Sequence, residues 1–234
     1  MSNINYNTAK MPTIIHLIRH AQGYHNVNHD VSIPDPYLTP LGLQQSQQLG
    51  ASFPAKDKIT HIVASPMKRT LNTAYYAFQD LIDTAAATGG GDGDNNSSKK
   101  KIIANPLLQE VNEYPCDVGS EPEALVPEFG AHVDLALVVK GWNVKTPGSM
   151  YAADDASLER RARAARTWLR KLGRSQDNAV IVVVSHGDFI KYLTQTNSGA
   201  SRDQWVLWAN AECHTYEFVD PEGDDGDASI REVV

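Results

Sequence analysis

The chain has 234 residues, of which 41% are hydrophobic and 21% are charged, as in ordinary globular proteins. This length favours one α/β domain with a substantial core, and we predict a single domain over residues 1–234. The formal net charge of -7 argues against general nucleic-acid binding and against attachment to anionic membranes, because both need a basic surface. A phosphate site in such a chain must be a local cluster of positive charge.

Two cysteines, Cys116 and Cys213, are too few and too far apart to indicate a disulfide framework or a cysteine-rich zinc site. Residues 1–12 lack an apolar signal-peptide core, and no apolar run approaches the length of about 20 residues that spans a bilayer. We therefore expect both thiols to be reduced and the protein to be cytoplasmic, with a nuclear location as the alternative.

The first predicted element is a buried strand at residues 13–18, where five of the six side chains are apolar or β-branched. The strand stops at the charged pair Arg19 and His20, and a polar loop with two prolines follows over residues 24–37. In open α/β sheets, ligands bind at the carboxyl ends of the strands, so the charged pair is suited to hold an anion. The alternative is that both charges simply face water.

A helix and a strand-helix unit are predicted next. Thr39-Pro40 is typical of a helix start, with Thr39 as the cap. A strand at residues 59–64 ends at Ser65-Pro66, which we interpret as the cap and first residue of a helix with an apolar face. Arg69 falls in the first turn of that helix, where the dipole disfavours a cation. We therefore expect an anion nearby, unless Arg69 faces solvent.

The middle of the chain is more irregular. Residues 84–101 are rich in glycine, aspartate and serine, and their composition predicts a flexible insertion. A third short strand is predicted at residues 102–104, and a lid-like excursion over residues 112–152. A helix over residues 156–172 is expected to be capped by Gly173. Its solvated face is predicted to carry the arginines at positions 160, 161, 163, 166 and 170.

Residues 179–185 are the most hydrophobic run of the chain, and they predict a central strand buried on both faces. This strand stops at His186, and a helix follows it. A last strand is predicted at residues 214–219, and the acidic tail over residues 220–234 is expected to be disordered.

Two predicted strands therefore end in histidine. If the two strands are neighbours in a parallel sheet, His20 and His186 emerge at the same edge, where Arg19 and Arg69 join them. Two arginines and two histidines that converge inside an acidic protein predict a phosphate-sized pocket.

Several motifs occur in a fixed order between residues 13 and 195, and together they resemble the histidine phosphatase superfamily, which includes the phosphoglycerate mutases. The resemblance is to branch 1, and residues 109–119 are similar to fungal members of uncertain substrate. It implies a three-layer α/β/α sandwich with a mostly parallel central sheet, of the phosphoglycerate mutase-like type. The motifs are Arg19-His20-Ala21 with Asn26, Leu38-Thr39-Pro40-Leu41-Gly42, Ser65-Pro66-Met67-Lys68-Arg69 and Ser185-His186-Gly187.

The resemblance also implies a phosphohistidine mechanism. His20 would attack phosphorus in line, while Arg19, Arg69 and His186 neutralise the charge on the phosphate oxygens. A carboxylic acid would protonate the departing oxygen and then take a proton from water. In this family the acid follows the third strand in a Leu-x-Glu context, which Glu110 matches.

Glu113 and Asp188 are the alternative acids. Glu113 lies three positions after the first candidate, and Asp188 follows the second histidine, as the acid does in another branch of the superfamily. Gly187 intervenes here, which argues against Asp188. Either glutamate, and Glu113 more so, can also be a solvated loop carboxylate.

The substrate contacts implied by the resemblance begin with Asn26, which would hold the phosphate or position its loop. Ala21 replaces the usual glycine, and Gly23 stands where the mutases carry serine or threonine. With the Gly-Glu-Ser stretch of the mutases not found, these departures favour hydrolysis over mutase activity. The further substrate-binding candidates are Gly23, Tyr24, His25, Gly187 and Glu113.

We therefore predict a phosphomonoester hydrolase that acts on a small phosphorylated or anionic substrate without a cofactor or metal. A metal site from His16, His20 and His25 is conceivable by count, but no supporting motif accompanies it. The alternative functions are a phosphomutase, a non-hydrolytic enzyme that uses the same pocket and a non-catalytic phosphate-binding scaffold. The oligomeric state is not indicated.

Overall fold

The computed structural model describes residues 12–82, 100–196 and 208–233, and these residues share one seven-stranded sheet. The strands are β1 (Ile14–Arg19), β2 (His61–Ala64), β3 (Ile102–Ala104), β4 (Val133–Asp134), β5 (Val180–Ser185), β6 (Cys213–Phe218) and β7 (Ile230–Glu232). Their order is β4-β3-β2-β5-β1-β6-β7, parallel from β4 to β1 and antiparallel at β6 and β7. The predicted α/β class with a mostly parallel sheet is confirmed.

Helices cover both faces of the sheet. They are α1 (Tyr24–Val27), α2 (Pro40–Ser52), α3 (Lys68–Phe78), α4 (Pro122–Phe129), α5 (Asp155–Arg174) and α6 (Gly187–Leu193). One apolar core lies between the sheet and α5 with α6, and it includes Leu17 and Leu169. The other core lies between the sheet and α2, α3 and α4, and it includes Ile18 and Leu71. The chain therefore folds into three layers.

Strand β5 lies in the middle of the sheet because its side chains are apolar in both directions. Ile181 and Val183 point into the core of α5 and α6, and Val182 and Val184 point into the core of α3. The β-branched run predicted to be doubly buried is thus the strand between β1 and β2. Its carboxyl end consequently opens between the ends of two other parallel strands.

Two predicted helix boundaries are wrong. Ser65-Pro66 does not open α3, which has Met67 at its N-cap position, because the Ser65 N–H still donates to the Val184 carbonyl of the sheet at 3.0 Å. Gly173 lies inside α5 and does not cap it. A Cβ at Gly173 would lie 2.5 Å from Oγ1 of Thr13, so glycine is needed there for close packing against the start of β1.

The predicted solvated face of α5 holds for Arg160 and Arg163, which are exposed, and is wrong for the arginines at positions 161, 166 and 170, which are buried. The predicted disorder of the acidic tail is wrong as well. Arg166 and Arg170 are buried beneath the tail. Arg170 donates to Oδ2 of Asp225 at 2.7 Å, and Arg166 donates to the carbonyl of Asp227 at 2.8 Å. The tail therefore packs on α5 through residues 220–227 and then contributes β7, which pairs with β6, to the sheet.

Other predicted segments have mixed outcomes. Residues 84–99 of the expected insertion lie outside the described residues. The excursion over residues 112–152 contains α4 and β4, and the polar loop after β1 begins with the one-turn helix α1. Across the described ranges, none of the helices combines the length and the apolar character needed to cross a bilayer.

Candidate active site

The register of the sheet brings the two strand-end histidines together. Strands β1 and β5 pair in parallel with Arg19 opposite Ser185, so His20 and His186 are the next residues on neighbouring strands. The His20 N–H donates to the Ser185 carbonyl at 2.9 Å, and the two ring centroids are 5.2 Å apart. Both rings are buried. The predicted meeting of the two imidazoles at the carboxyl edge of the sheet is confirmed.

The hydrogen bonds of His20 define its tautomer. Nδ1 lies 2.8 Å from the Ala21 carbonyl oxygen, which can only accept, so Nδ1 carries the proton of the neutral ring. Nε2 then accepts the Nε–H of Arg69 at 3.2 Å. Burial, followed by the positive charges of Arg69 and Arg19, holds the pKa of His20 well below its usual value. The ring is therefore neutral, and the Nε2 lone pair faces a cation.

Arg69 is fully buried in the first turn of α3 and connects His20 to the segment that follows β3. Its Nη1 donates to the Cys116 carbonyl at 2.6 Å, and its Nη2 lies 3.3 Å from Oδ1 of Asp117. The anion expected near this arginine is thus supplied by the protein itself, as the Asp117 carboxylate. Because the Cys116 carbonyl oxygen and Nε2 of His20 also accept from the guanidinium, its plane is fixed before any ligand binds.

His186 and Arg19 carry buried nitrogen atoms that have no hydrogen-bond partner among the described residues. Nε2 of His186 lies 2.9 Å from Oγ of Ser65, whereas Nδ1 is unpaired. Nη1 of Arg19 donates to the Trp208 carbonyl, whereas Nε is unpaired. A Cβ at Gly187 would lie 3.2 Å from this Nε, so the missing side chain leaves room for the guanidinium. Unpaired buried donors in a cationic pocket are suited to an incoming anion.

The Glu110 carboxyl is buried, with 8% of the residue exposed. Its Oε1 accepts the N–H groups of Val111 at 2.9 Å and Phe189 at 3.2 Å. Burial, reinforced by the charges of Asp188 and Asp117, raises the pKa of Glu110 to about 8. The group is therefore mostly protonated at neutral pH, as a proton donor to a leaving group must be.

The structure separates Glu110 from the two alternative acids. Glu113 is exposed in the turn after it. Asp188 is half-buried in the first turn of α6, and its charge helps to raise the pKa of Glu110. Of the three, Glu110 combines burial with an elevated pKa, so the geometry favours it as the acid.

The segment after His20 places a third imidazole beside the pair. Oδ1 of Asn26 accepts the Gly23 N–H at 2.9 Å, so its amide nitrogen is the donor to Nε2 of His25 at 3.1 Å. The His25 ring, 5.5 Å from that of His20, therefore carries its proton on Nδ1, which is buried and unpaired among the described residues. Burial and the nearby arginines lower the pKa of His25 to about 3. Tyr24 is half-exposed on the same turn.

Sequence reasoning missed several residues that support the site. Asn210 donates to the carbonyl of His20 at 3.0 Å and to Oδ1 of Asn26 at 3.4 Å. Asp117 pairs with the buried arginine, and Ser65 contacts the second histidine. Ser65 belongs to one of the recognised motifs, so that motif could have identified it. Asn210 and Asp117 lie in irregular segments without periodicity, where the sequence offers no comparable signal.

The histidines considered for a metal site have other surroundings. Nδ1 of His16 lies 3.1 Å from Oγ1 of Thr215, across the β1–β6 pair. Within the described ranges, no three histidine, cysteine, aspartate or glutamate side chains are grouped as metal ligands would be.

Comparison with known proteins identifies relatives of this chain. Residues 15–86 match the histidine phosphatase superfamily (branch 1). A phosphoglycerate mutase-like protein from Arabidopsis thaliana is 42% identical over 84 residues, which cover 31% of this chain and 31% of the relative's length. A probable phosphatase from Schizosaccharomyces pombe is 29% identical over 176 residues, or 74% of this chain and 73% of that protein.

The fold has solved counterparts as well. The crystal structure of the ecdysone phosphate phosphatase from Bombix mori, in complex with tungstate, superimposes with a TM-score of 0.60 at 15% identity. The alignment covers 88% of this chain and 89% of that one. The segment that matches the family model runs from β1 past the end of α3, and it includes His20 and Arg69. Through these matches, the chain is similar to branch 1 of the histidine phosphatase superfamily, and the similarity to the family model lies in residues 15–86.

Proposed function

We propose that this protein hydrolyses phosphate monoesters through a phosphohistidine intermediate on His20, without a metal ion. The observation that carries the proposal is the placement of two buried groups: His20 between the Ala21 carbonyl and Arg69, and Glu110 on the N–H groups of Val111 and Phe189. His20 is neutral, with the Nε2 lone pair directed at Arg69, and Glu110 holds a proton near neutral pH. An unprotonated nucleophile and a protonated acid are the two groups that this reaction needs.

The phosphate would bind where donors are available. Arg19 Nε is unpaired, and His186 Nδ1 becomes a donor when Ser65 donates to Nε2 of the same ring. A phosphate oxygen would take the Arg69 Nε–H in place of the His20 lone pair, with the guanidinium itself unmoved, so the lone pair of His20 is released only when an anion is present. Three fixed donors around one phosphate supply the electrostatic preorganisation on which phosphoryl transfer depends.

In the first step of the proposed reaction, Nε2 of His20 forms a bond to phosphorus while the ester P–O bond breaks. The departing oxygen takes the proton of Glu110. In the second step, the Glu110 carboxylate takes a proton from water, and the water oxygen attacks phosphorus as the N–P bond breaks. Inorganic phosphate leaves, and both side chains return to their starting states.

The relatives support a phosphatase without defining its substrate. One of them is described as a probable phosphatase, and the structural counterpart is an ecdysone phosphate phosphatase. The match to the Arabidopsis relative covers under a third of either chain, so activity, substrate and partners are all part of our proposal. We propose a small phosphorylated substrate and a cytoplasmic location. Gly23 supplies no hydroxyl group to contact the phosphate, unlike the serine or threonine of the mutases. This difference favours transfer of the phosphoryl group to water over transfer to an organic acceptor.

The test is a comparison of His20→Ala with the wild type on aryl phosphates and on a panel of phosphorylated metabolites. We expect the substitution to lower kcat by at least about 10³-fold. His61→Ala is the matched control, because His61 lies at the opposite end of β2 with Nδ1 2.8 Å from Oγ1 of Thr60. Full activity of His20→Ala would refute the assignment of His20 as the nucleophile. Transfer to an acceptor without release of inorganic phosphate would indicate a mutase instead.

A further inference from the structure

Lys145 is a buried cation that the proposed reaction does not use. It belongs to the excursion over residues 112–152, and only 5% of it is exposed. Its Nζ donates to the carbonyl oxygens of Glu110 and Asp117 at 2.8 Å each, and also to that of Asn112. All three N–H groups of the ammonium are therefore used, and each contacts the backbone of one short segment.

That segment carries the chemistry of the site. Glu110 is the candidate acid, and Cys116 and Asp117 supply the two acceptors that hold the guanidinium of Arg69. Lys145 binds the segment at Glu110, its first residue, and again at Asp117. It therefore closes the backbone into a loop in which both the candidate acid and the partner of Arg69 are held in place. The acid and the phosphate-binding arginine consequently share one support.

A second cation supports the same loop from α5. Arg161, which is fully buried and was predicted to be solvated, donates to the carbonyls of Gln109 at 2.9 Å and Glu110 at 3.2 Å. Its guanidinium stacks on the ring of Phe189 at 4.2 Å, and the Phe189 N–H holds the Glu110 carboxyl. Burial, followed by the charge of Arg161, lowers the pKa of Lys145 below its usual value. Burying two cations this deeply costs their hydration, and here the hydrogen bonds to the backbone carbonyls of the loop compensate for that cost.

We propose that Lys145 is a positioning residue for the acid step: through three backbone carbonyls it holds the Glu110 carboxyl in place for the leaving group and Arg69 in place for the phosphate. This inference rests on the proposed hydrolysis for its kinetic effect. Its structural content, the ordering of residues 110–117 by one ammonium group, does not depend on that activity.

The kinetic test compares Lys145→Met with the wild type on two substrates. Phenyl phosphate needs a proton donor for its basic leaving group, whereas 4-nitrophenyl phosphate, with a more acidic phenol, needs one much less. We expect kcat/KM for phenyl phosphate to fall at least about tenfold more than kcat/KM for 4-nitrophenyl phosphate. A merely structural lesion would lower both equally, and that result would overturn the proposal. Lys140→Met is the matched control, because Lys140 is an exposed lysine of the same excursion.

Hydrogen exchange tests the positioning without any turnover. We expect the peptide that covers residues 110–118 to exchange at least about tenfold faster in Lys145→Met than in the wild type or Lys140→Met. Unchanged exchange would refute the proposal even if activity fell. If the wild type releases no phosphate from either ester, the proposed function fails, while the exchange result still decides the role of Lys145. Lys145→Gln, which keeps donors without the charge, replaces the methionine variant if that one does not fold, with the same two expectations.

Discussion

Replacing Glu110 with glutamine should lower activity and raise stability at the same time. Glutamine keeps the acceptor oxygen that binds the N–H groups of Val111 and Phe189, so the local geometry is preserved. It cannot donate an acidic proton to a leaving group. It also cannot ionise, which removes the cost of burying a carboxylate in this pocket.

Both magnitudes follow from the raised pKa. With a pKa of about 8, Glu110 is about nine-tenths protonated at pH 7, compared with about 0.3% for an ordinary carboxyl. Loss of general acid catalysis should lower kcat/KM for phenyl phosphate by about 10²-fold or more. The unfolded chain releases this proton near pH 4.5 and the folded chain near pH 8, so the stability cost grows between these values. At pH 7 it reaches roughly 3 kcal/mol.

The assay is urea denaturation at pH 4.5 and pH 7, paired with steady-state kinetics. We expect Glu110→Gln to be more stable than the wild type by up to roughly 3 kcal/mol at pH 7 and by little at pH 4.5. The wild type should lose activity on phenyl phosphate as the pH rises through about 8, because the acid is then ionised. Glu113→Gln, at an exposed carboxyl, should change neither property. A glutamine variant with full activity, or with no gain in stability at pH 7, would refute the reasoning.

Three further substitutions test other parts of the structure. Arg69→Lys keeps a charge but loses the planar fork, so we expect KM for phosphate esters to rise about tenfold or more, and an unchanged KM would contradict its role. Gly23→Ala places a Cβ 2.8 Å from Nδ1 of His25. We expect calorimetry to show several-fold weaker binding of inorganic phosphate, a loss on the order of 1 kcal/mol in binding free energy. Equal affinity would exclude His25 from the anion site. Arg170→Ala removes the donors that hold Asp225, and urea denaturation should show a loss of about 1–2 kcal/mol; no loss would mean that the tail does not stabilise the fold.

The sequence was informative where one local rule decides the structure. The buried runs that end at Arg19 and Ser185 predict two strands that each end in histidine, and since the structure pairs these strands in parallel, His20 and His186 meet as expected. Thr39 caps α2 through the Gly42 N–H, as its position before proline predicts.

It was uninformative where distant segments decide the environment of a side chain. The arginines of α5 follow the spacing of a solvated face, but Arg170 is covered by residues about 50 positions later and Arg161 by the loop before α4. Helical periodicity predicts which side chains share a face of α5, but it carries no information about a tail that packs on that face. The same limit hid Lys145, whose three acceptors are backbone atoms and leave no pattern in the sequence.

The central claim is that His20 carries the phosphoryl group during turnover. The most direct measurement is rapid quenching of the wild type with a labelled aryl phosphate, followed by mass spectrometric mapping of the modified peptide. We expect one acid-labile phosphate on His20, formed in the wild type and the His61→Ala control and missing from His20→Ala. Turnover with release of inorganic phosphate but with no label on His20, or with label on another residue, would contradict it.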